Sequence, residues 1–200
     1  MICGFPWLDR ASDALDDGLA RFLDAGEPPI VFTLGSAAVH HPGDFYSLAA
    51  EVCRQLGRRG VLLTGGSAPE PGLLPASVIA RAWAPHVKLF PRALVNVHHA
   101  GIGTTAQCVR AGRPSVAVPH AFDQFNNALR VHALGTGLVV PRWHLTRDRL
   151  VAALEQAIQY EVMAERARAL AARIQVNGAD AAAAAIERLA AAPNEKRSAA

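Results

Sequence analysis

The 200-residue chain predicts an α/β fold: a doubly wound parallel sheet of about six strands with a helical C-terminal end. Three observations carry that prediction. Short, almost wholly apolar runs alternate with amphipathic segments, and strands without a wet face belong to a sheet covered on both sides. Gly, Ser, Thr, His and Asp-Gln residues gather directly after those runs. Everything beyond Thr146 is rich in Ala, Arg and Glu and free of strand-like runs.

Taken in order, residues 12–25 (SDALDDGLARFLDA) have apolar residues at helical spacing, with Ser12 as a cap and Gly26 as a stop. PPIVFTLGS (28–36) is a β-rich run ending in Gly-Ser and predicts the first strand. DFYSLAAEVCRQLGRR (44–59) predicts an amphipathic helix closed by Gly60, and VLLTGG (61–66) a second strand. Three prolines between 67 and 77 impose a loop. SVIARAW (77–83) and LVNVHH (94–99) predict strands three and four, and a helix follows over 104–111. SVAVP (115–119) is a fifth strand, 123–135 a helix ended by Gly135, and GLVVP (137–141) a short sixth strand. The Ala-rich end is helical with a break near Asn177-Gly178. One domain over 1–192 and a frayed tail over 193–200 are expected.

Composition narrows the function classes. With 51% hydrophobic and 18% charged residues the chain is globular. A net charge of +3 with scattered arginines gives no clustered basic patch, which argues against nucleic acid as a partner. No run approaches the ~18 apolar residues that span a bilayer. Cys3, Cys53 and Cys108 are odd in number and far apart, as in reduced thiols of a cytoplasmic protein. The N-terminus MICGFPWLDR lacks the pattern of an export signal.

In a parallel sheet, ligands bind outside the carboxyl ends of the strands. That singles out residues 35–36, 65–66, 83–86, 98–105 and 120–124. In LVNVHHAGIGTTAQCV (94–109), Gly101 and Gly103 let backbone N–H groups approach a ligand, and Thr104 and Thr105 begin a helix whose dipole favours an anion. His99 stands where it could donate a hydrogen bond or a positive charge to that anion. A phosphate or diphosphate fits; so does a plain glycine turn with histidines filling space. The run G-I-G-T-T-A (101–106) also matches a dinucleotide fingerprint, with Asp123 about twenty residues on. An NAD(P)-binding domain is disfavoured, because three strands precede this one and residues 119–122 intervene before the acid. A metal held by His98, His99 and His120 is a further alternative, weakened by the lack of a carboxylate or thiol at ligand spacing. His98 reads better as a packed or capping residue.

The longer run WAPHVKLFPRALVNVHHAGIGTTAQCVRAGRPSVAVPHAFDQFNNA (83–128) closely resembles the donor-binding signature of nucleotide-sugar glycosyltransferases of the GT-B fold, in the style of bacterial macrolide and sterol enzymes. GFPW, PPIVFTLGS, LLTGG and the Ala-rich end extend the resemblance over nearly the whole chain. It implies a Rossmann-like C-terminal domain that takes a UDP- or TDP-sugar as co-substrate, with no other cofactor and no metal. Residue by residue, it implies that Trp83 stacks on the base, with the backbone near Ala84 and His86 reading the base edge. Gln107 takes the ribose. Ser36, His99, Gly101, Gly103 and Thr104 hold the diphosphate, and Asp123 and Gln124 hold sugar hydroxyls. Asp123 also suits a helix N-cap. Where relatives have Gly, this chain has Ala100; if that position needs a positive φ, the alanine costs about 1 kcal/mol.

In the resembling enzymes a second, N-terminal domain binds the acceptor and supplies a histidine base. This chain reaches GFPW at once, so the acceptor half is expected to lie elsewhere. The primary expectation is thus the donor half of an inverting hexosyltransferase, completed by a separate acceptor subunit and inactive alone. A nucleotide-sugar-binding pseudoenzyme or regulatory subunit is the alternative, and a shortened reading frame a third. The apolar face turned toward the missing half could also drive self-association.

Overall fold

The computed structural model describes residues 2–7, 9–10, 12–66, 74–174 and 177–191. Most of the expected loop after the second strand and the whole 193–200 tail lie outside these residues.

Six parallel strands form one sheet: β1 Ile30–Thr33, β2 Gly60–Leu63, β3 Val78–Arg81, β4 Val95–His98, β5 Ser115–Ala117 and β6 Gly137–Val139, in the order β3-β2-β1-β4-β5-β6. Helices α1 (Asp17–Asp24), α2 (Gly35–Ala38), α3 (Phe45–Leu56), α4 (His86–Leu89), α5 (Ile102–Ala111), α6 (Gln124–Ala133), α7 (Arg147–Gln159), α8 (Glu161–Ala171) and α9 (Gly178–Ala191) connect and follow the strands. This is the strand order of doubly wound nucleotide-binding sheets, in which the chain reverses its direction of travel between β1 and β4. There Thr33 pairs with His98 at the last position of the register.

The alternation of side chains along β1 explains why both faces are covered. Ile30 and Phe32 enter one apolar cluster with α3 and α7 residues such as Val52, Leu150 and Leu154. Val31 enters the other, with Leu19 and Leu23 of α1, Leu89, Phe90 and Cys108 of α5. All four residues of β1, β2 and β4 are buried.

Element ends moved for local reasons. Asp16, not Ser12, caps α1, its side chain accepting from Leu19 N–H while Arg81 pairs with the same carboxylate. Gly57 closes α3 in the left-handed conformation three residues before the expected Gly60, which opens β2 instead. The helix expected from Thr104 begins at Ile102, so the glycine turn is already its first turn. Helices α2 and α4, and the 3-10 turns Phe90–Arg92 and Arg142–His144, are too short to leave a periodic signal. No described helix is long and apolar enough to cross a membrane.

Phe32 is fully buried at the sheet centre and meets Phe45 edge to face, with ring centroids 6.3 Å apart. Phe32→Ala is expected to cost about 3–5 kcal/mol through the lost contacts and the cavity left behind. Urea denaturation measures it, and a loss below about 1 kcal/mol would show that this face is loosely packed.

Candidate functional site

Two strand ends and two helix starts build a cavity of about 660 Å³ at the carboxyl edge of the sheet. Thr33, Gly35 and Ser36 line it from the end of β1, and Gly103, Thr104 and Gln107 from α5. Trp83, Pro85, His86 and Val87 line it from the β3–α4 connection. The N-terminal segment adds Phe5, Pro6, Asp9 and Asp13.

The α5 terminus is the polar centre of this arrangement. Gly101 occupies the N-cap and makes no side-chain cap bond, so the first-turn N–H groups lack an intrahelical acceptor. A Cβ on Gly103 would meet open space, so the backbone there is bare. Thr104 is mostly buried and lines the cavity. Uncapped N–H groups, a helix dipole and a hydroxyl suit an anion.

His99 sits behind this wall, 7% exposed, and is not itself among the lining residues. Its ring fills the space between two glycines: a Cβ on either Gly35 or Gly101 would overlap it. Gly35 also has φ +67, so both sterics and backbone demand glycine there. His99 Nδ1 is buried without a hydrogen-bond partner among the described residues. Burial, with neighbouring His120 and His86 opposing Asp123, pushes the imidazole down to about 4. At neutral pH the free domain therefore offers a ring N–H at this position and not the standing positive charge that was one of the two sequence expectations.

The left-handed conformation at position 100 is real: Ala100 has φ +64. Its N–H donates to His98 Nδ1 at 3.2 Å, and its methyl group packs in a small cluster with Ala117 and Ala128. Burying that methyl offsets most of the roughly 1 kcal/mol of backbone strain. His98 is fully buried in the sheet and serves this turn. Among the described residues, no group of three or more His, Cys, Asp or Glu side chains could hold a metal ion.

The remaining expected residues divide. Ser36, Trp83, His86, Gly103, Thr104 and Gln107 line the cavity; Ala84, His99, Gly101, Asp123 and Gln124 do not. Trp83 is 64% exposed at the rim, and His86 stacks on Phe90 with centroids 4.3 Å apart. Ala84 is buried, leaving its backbone for any ligand contact. Gln107 is engaged on both ends: its Nε2 donates to Asp9 Oδ1 at 3.1 Å and its Oε1 accepts from Arg110 at 3.0 Å. Gln124 is buried, its Oε1 accepting the His120 and Ala121 N–H groups at 2.7 and 3.1 Å. Asp123 stands at the N-cap of α6 without a cap bond; its carboxylate accepts from Asn127 Nδ2 at 2.8 Å. Phe122, just before it, is 90% exposed with φ +57. Asp9, Asp13 and Asn127 were not singled out in the sequence. Only Asn127 carried a usable signal, one helical turn beyond Asp123.

Residues 60–187 match the family described as erythromycin biosynthesis protein CIII-like, C-terminal domain.

The chain belongs to that family.

It is 40% identical over 163 residues to O-mycaminosyltylonolide 6-deoxyallosyltransferase of Streptomyces fradiae, covering 80% of this chain and 37% of that protein. It is 37% identical over 180 residues to vancomycin aglycone glucosyltransferase of Amycolatopsis orientalis, covering 88% of this chain and 43% of the relative. The solved glycotransferase of kitacinnamycin superposes with a TM-score of 0.78 at 30% identity, over 93% of this chain and 48% of that one. The EryCIII-like domain thus spans less than half the length of each relative. The likeness confirms the Rossmann-like GT-B C-terminal fold.

Buried His98 and His99, with half-buried His86, give the domain a defined acid sensitivity. Burial lowers His86 and His99 to about 4 and His98 to about 3, against an ordinary value near 6.5. Below pH ~6.5 the unfolded chain takes up protons that the folded chain refuses, so stability falls toward pH 4 and is fully present above pH ~6.5. Urea midpoints should therefore drop steadily between pH 6.5 and 4, and His86→Phe should flatten the drop. Midpoints independent of pH over that window would contradict the neutral state of these rings.

Proposed function

We propose that this domain binds a UDP- or TDP-sugar and acts as the donor half of an inverting glycosyltransferase. The observation that carries the reading is the uncapped start of α5, opening between Ser36 and Trp83 onto the cavity at the β1–β4 reversal. The cavity is large enough for a nucleoside diphosphate, with Trp83 on one side and the start of α5 on another.

In this reading the base lies on Trp83, with the Ala84 and His86 backbone at its edge. The ribose reaches Gln107, displacing the Asp9 carboxylate that now holds it. The diphosphate sits against the α5 N–H groups, the Thr104 hydroxyl and Ser36, with His99 donating from between Gly35 and Gly101, whose missing side chains make room for its ring. Asp123 accepts from sugar hydroxyls beyond the cavity, next to the loop that Gln124 anchors. The two relatives are named for moving a 6-deoxyallosyl and a glucosyl group, which supports a hexose or deoxyhexose as cargo.

The transfer forms a bond between an acceptor hydroxyl oxygen and the anomeric carbon and breaks the bond from that carbon to the diphosphate oxygen. The electron pair leaves on the diphosphate, and the hydroxyl proton passes to a base in the acceptor half. This domain's contribution is to meet the charge that grows on the leaving group with preorganised donors. The acceptor half and its base lie outside these 200 residues, and this domain alone transfers sugar slowly or not at all.

Calorimetry with UDP and TDP tests the reading: saturable binding is expected, and none at millimolar ligand contradicts it. His99→Ala, shown by its melting curve to be folded, should weaken binding by about 1–3 kcal/mol. An unchanged affinity would make His99 a packing residue only.

A further inference from the structure

We propose that Asn127 is a positioning residue that locks the turn after β4 to the carboxylate of Asp123. It would thereby set the distance between the diphosphate-binding and sugar-binding parts of the site. The inference rests, for its ligand consequences, on the donor-binding reading above.

One amide group makes both links. Asn127 Nδ2 donates to the Ala100 carbonyl at 3.0 Å and to Asp123 Oδ2 at 2.8 Å. The side chain is buried on α6, facing the turn, so water competes poorly for the bond to Ala100, while the bond to the exposed Asp123 carboxylate is part-buried. The two hydrogens of a primary amide can serve two acceptors at once, which a hydroxyl or a carboxylate cannot do. Position 127 also lies one helical turn after Asp123, and its own N–H donates to the Asp123 carbonyl at 3.0 Å.

What the amide grips is the strained point of the site. Ala100 holds a left-handed conformation that alanine disfavours, and such a residue keeps it only when its surroundings over-determine it. Its peptide groups are fixed on both sides, the N–H by His98 Nδ1 and the carbonyl by Asn127 Nδ2. The next residue, Gly101, is the N-cap of α5. Releasing the carbonyl would loosen the entry to α5, and releasing Asp123 would free an exposed carboxylate to swing away. A nucleoside diphosphate needs only the first of these elements in place. A nucleotide sugar needs both, held at a fixed separation.

The test has two arms. In the ligand-free chain, amide exchange at Ala100 should be about tenfold faster in Asn127→Ala than in the wild type, with Val97 unchanged, as expected when one hydrogen bond guarding a local opening is lost. Equal exchange at Ala100 overturns the lock whether or not any nucleotide binds. In the second arm, UDP and UDP-glucose are titrated by calorimetry. Asn127→Ala should weaken UDP-glucose about tenfold more than UDP, and adding Asp123→Ala should widen that gap no further. Equal losses for the two ligands would leave Asn127 a support of the turn and overturn the positioning role. Wild-type protein that binds neither ligand would refute the donor reading, while the exchange arm still decides the lock. Asn127→Ser, which can donate to only one partner, should fall on the same side as Asn127→Ala and serves if the alanine variant fails to fold.

Discussion

The pairing of β1 with β4 is the constraint on which the site depends. Ile30 to Thr33 run in register with Val95 to His98, and the chain leaves these adjacent strand ends in opposite directions. That divergence opens a crevice no side chain has to be carved out to make. It brings Gly35 and Ser36 opposite 99–104, although some 65 residues separate them, by the geometry of a doubly wound sheet. Burial of both strands on both faces fixes the register, because a slip of one residue would exchange the two apolar clusters.

Around that crevice, small residues do the work usually credited to large polar ones. Glycine at 35 and 101 leaves room for the His99 ring, and glycine at 103 leaves the start of α5 bare. Alanine at 100, 117 and 128 lets the turn pack closely against α6. The polar groups are then held by one another: His98 and Asn127 fix Ala100, and Gln124 fixes the 120–121 backbone. A turn held this way has little freedom left to lose when a ligand binds.

Much of this was legible in the sequence, for physical reasons. Strands such as 30–33 and 95–98 are buried on both faces and so are rich in apolar and β-branched residues, which makes them stand out even though they also bury Thr33, Asn96 and His98. The glycine turn at 101–103 was readable because glycines before a helix leave the backbone bare, and Ala100 because the enzymes the sequence resembles have glycine there, as suits the positive φ it adopts. Helix ends were less so: Gly57 and Gly60 are both plausible stops, and only tertiary pairing of β2 chooses between them. The network of Asp9, Gln107 and Arg110 could not be read, since it depends on where the N-terminal segment crosses α5. Nor could the state of His99, which follows from burial between two glycines and not from its neighbours in sequence.

If the donor reading holds, the start of α5 and the Trp83 rim together form one nucleotide site. Amide shift mapping by nuclear magnetic resonance during a UDP titration tests it most directly. The largest shifts should fall at Ser36, at Trp83 and His86, and at Gly101, Gly103, Thr104 and Gln107, all with one affinity. Shifts confined to other parts of the domain, such as α9 or the opposite edge of the sheet, would contradict it.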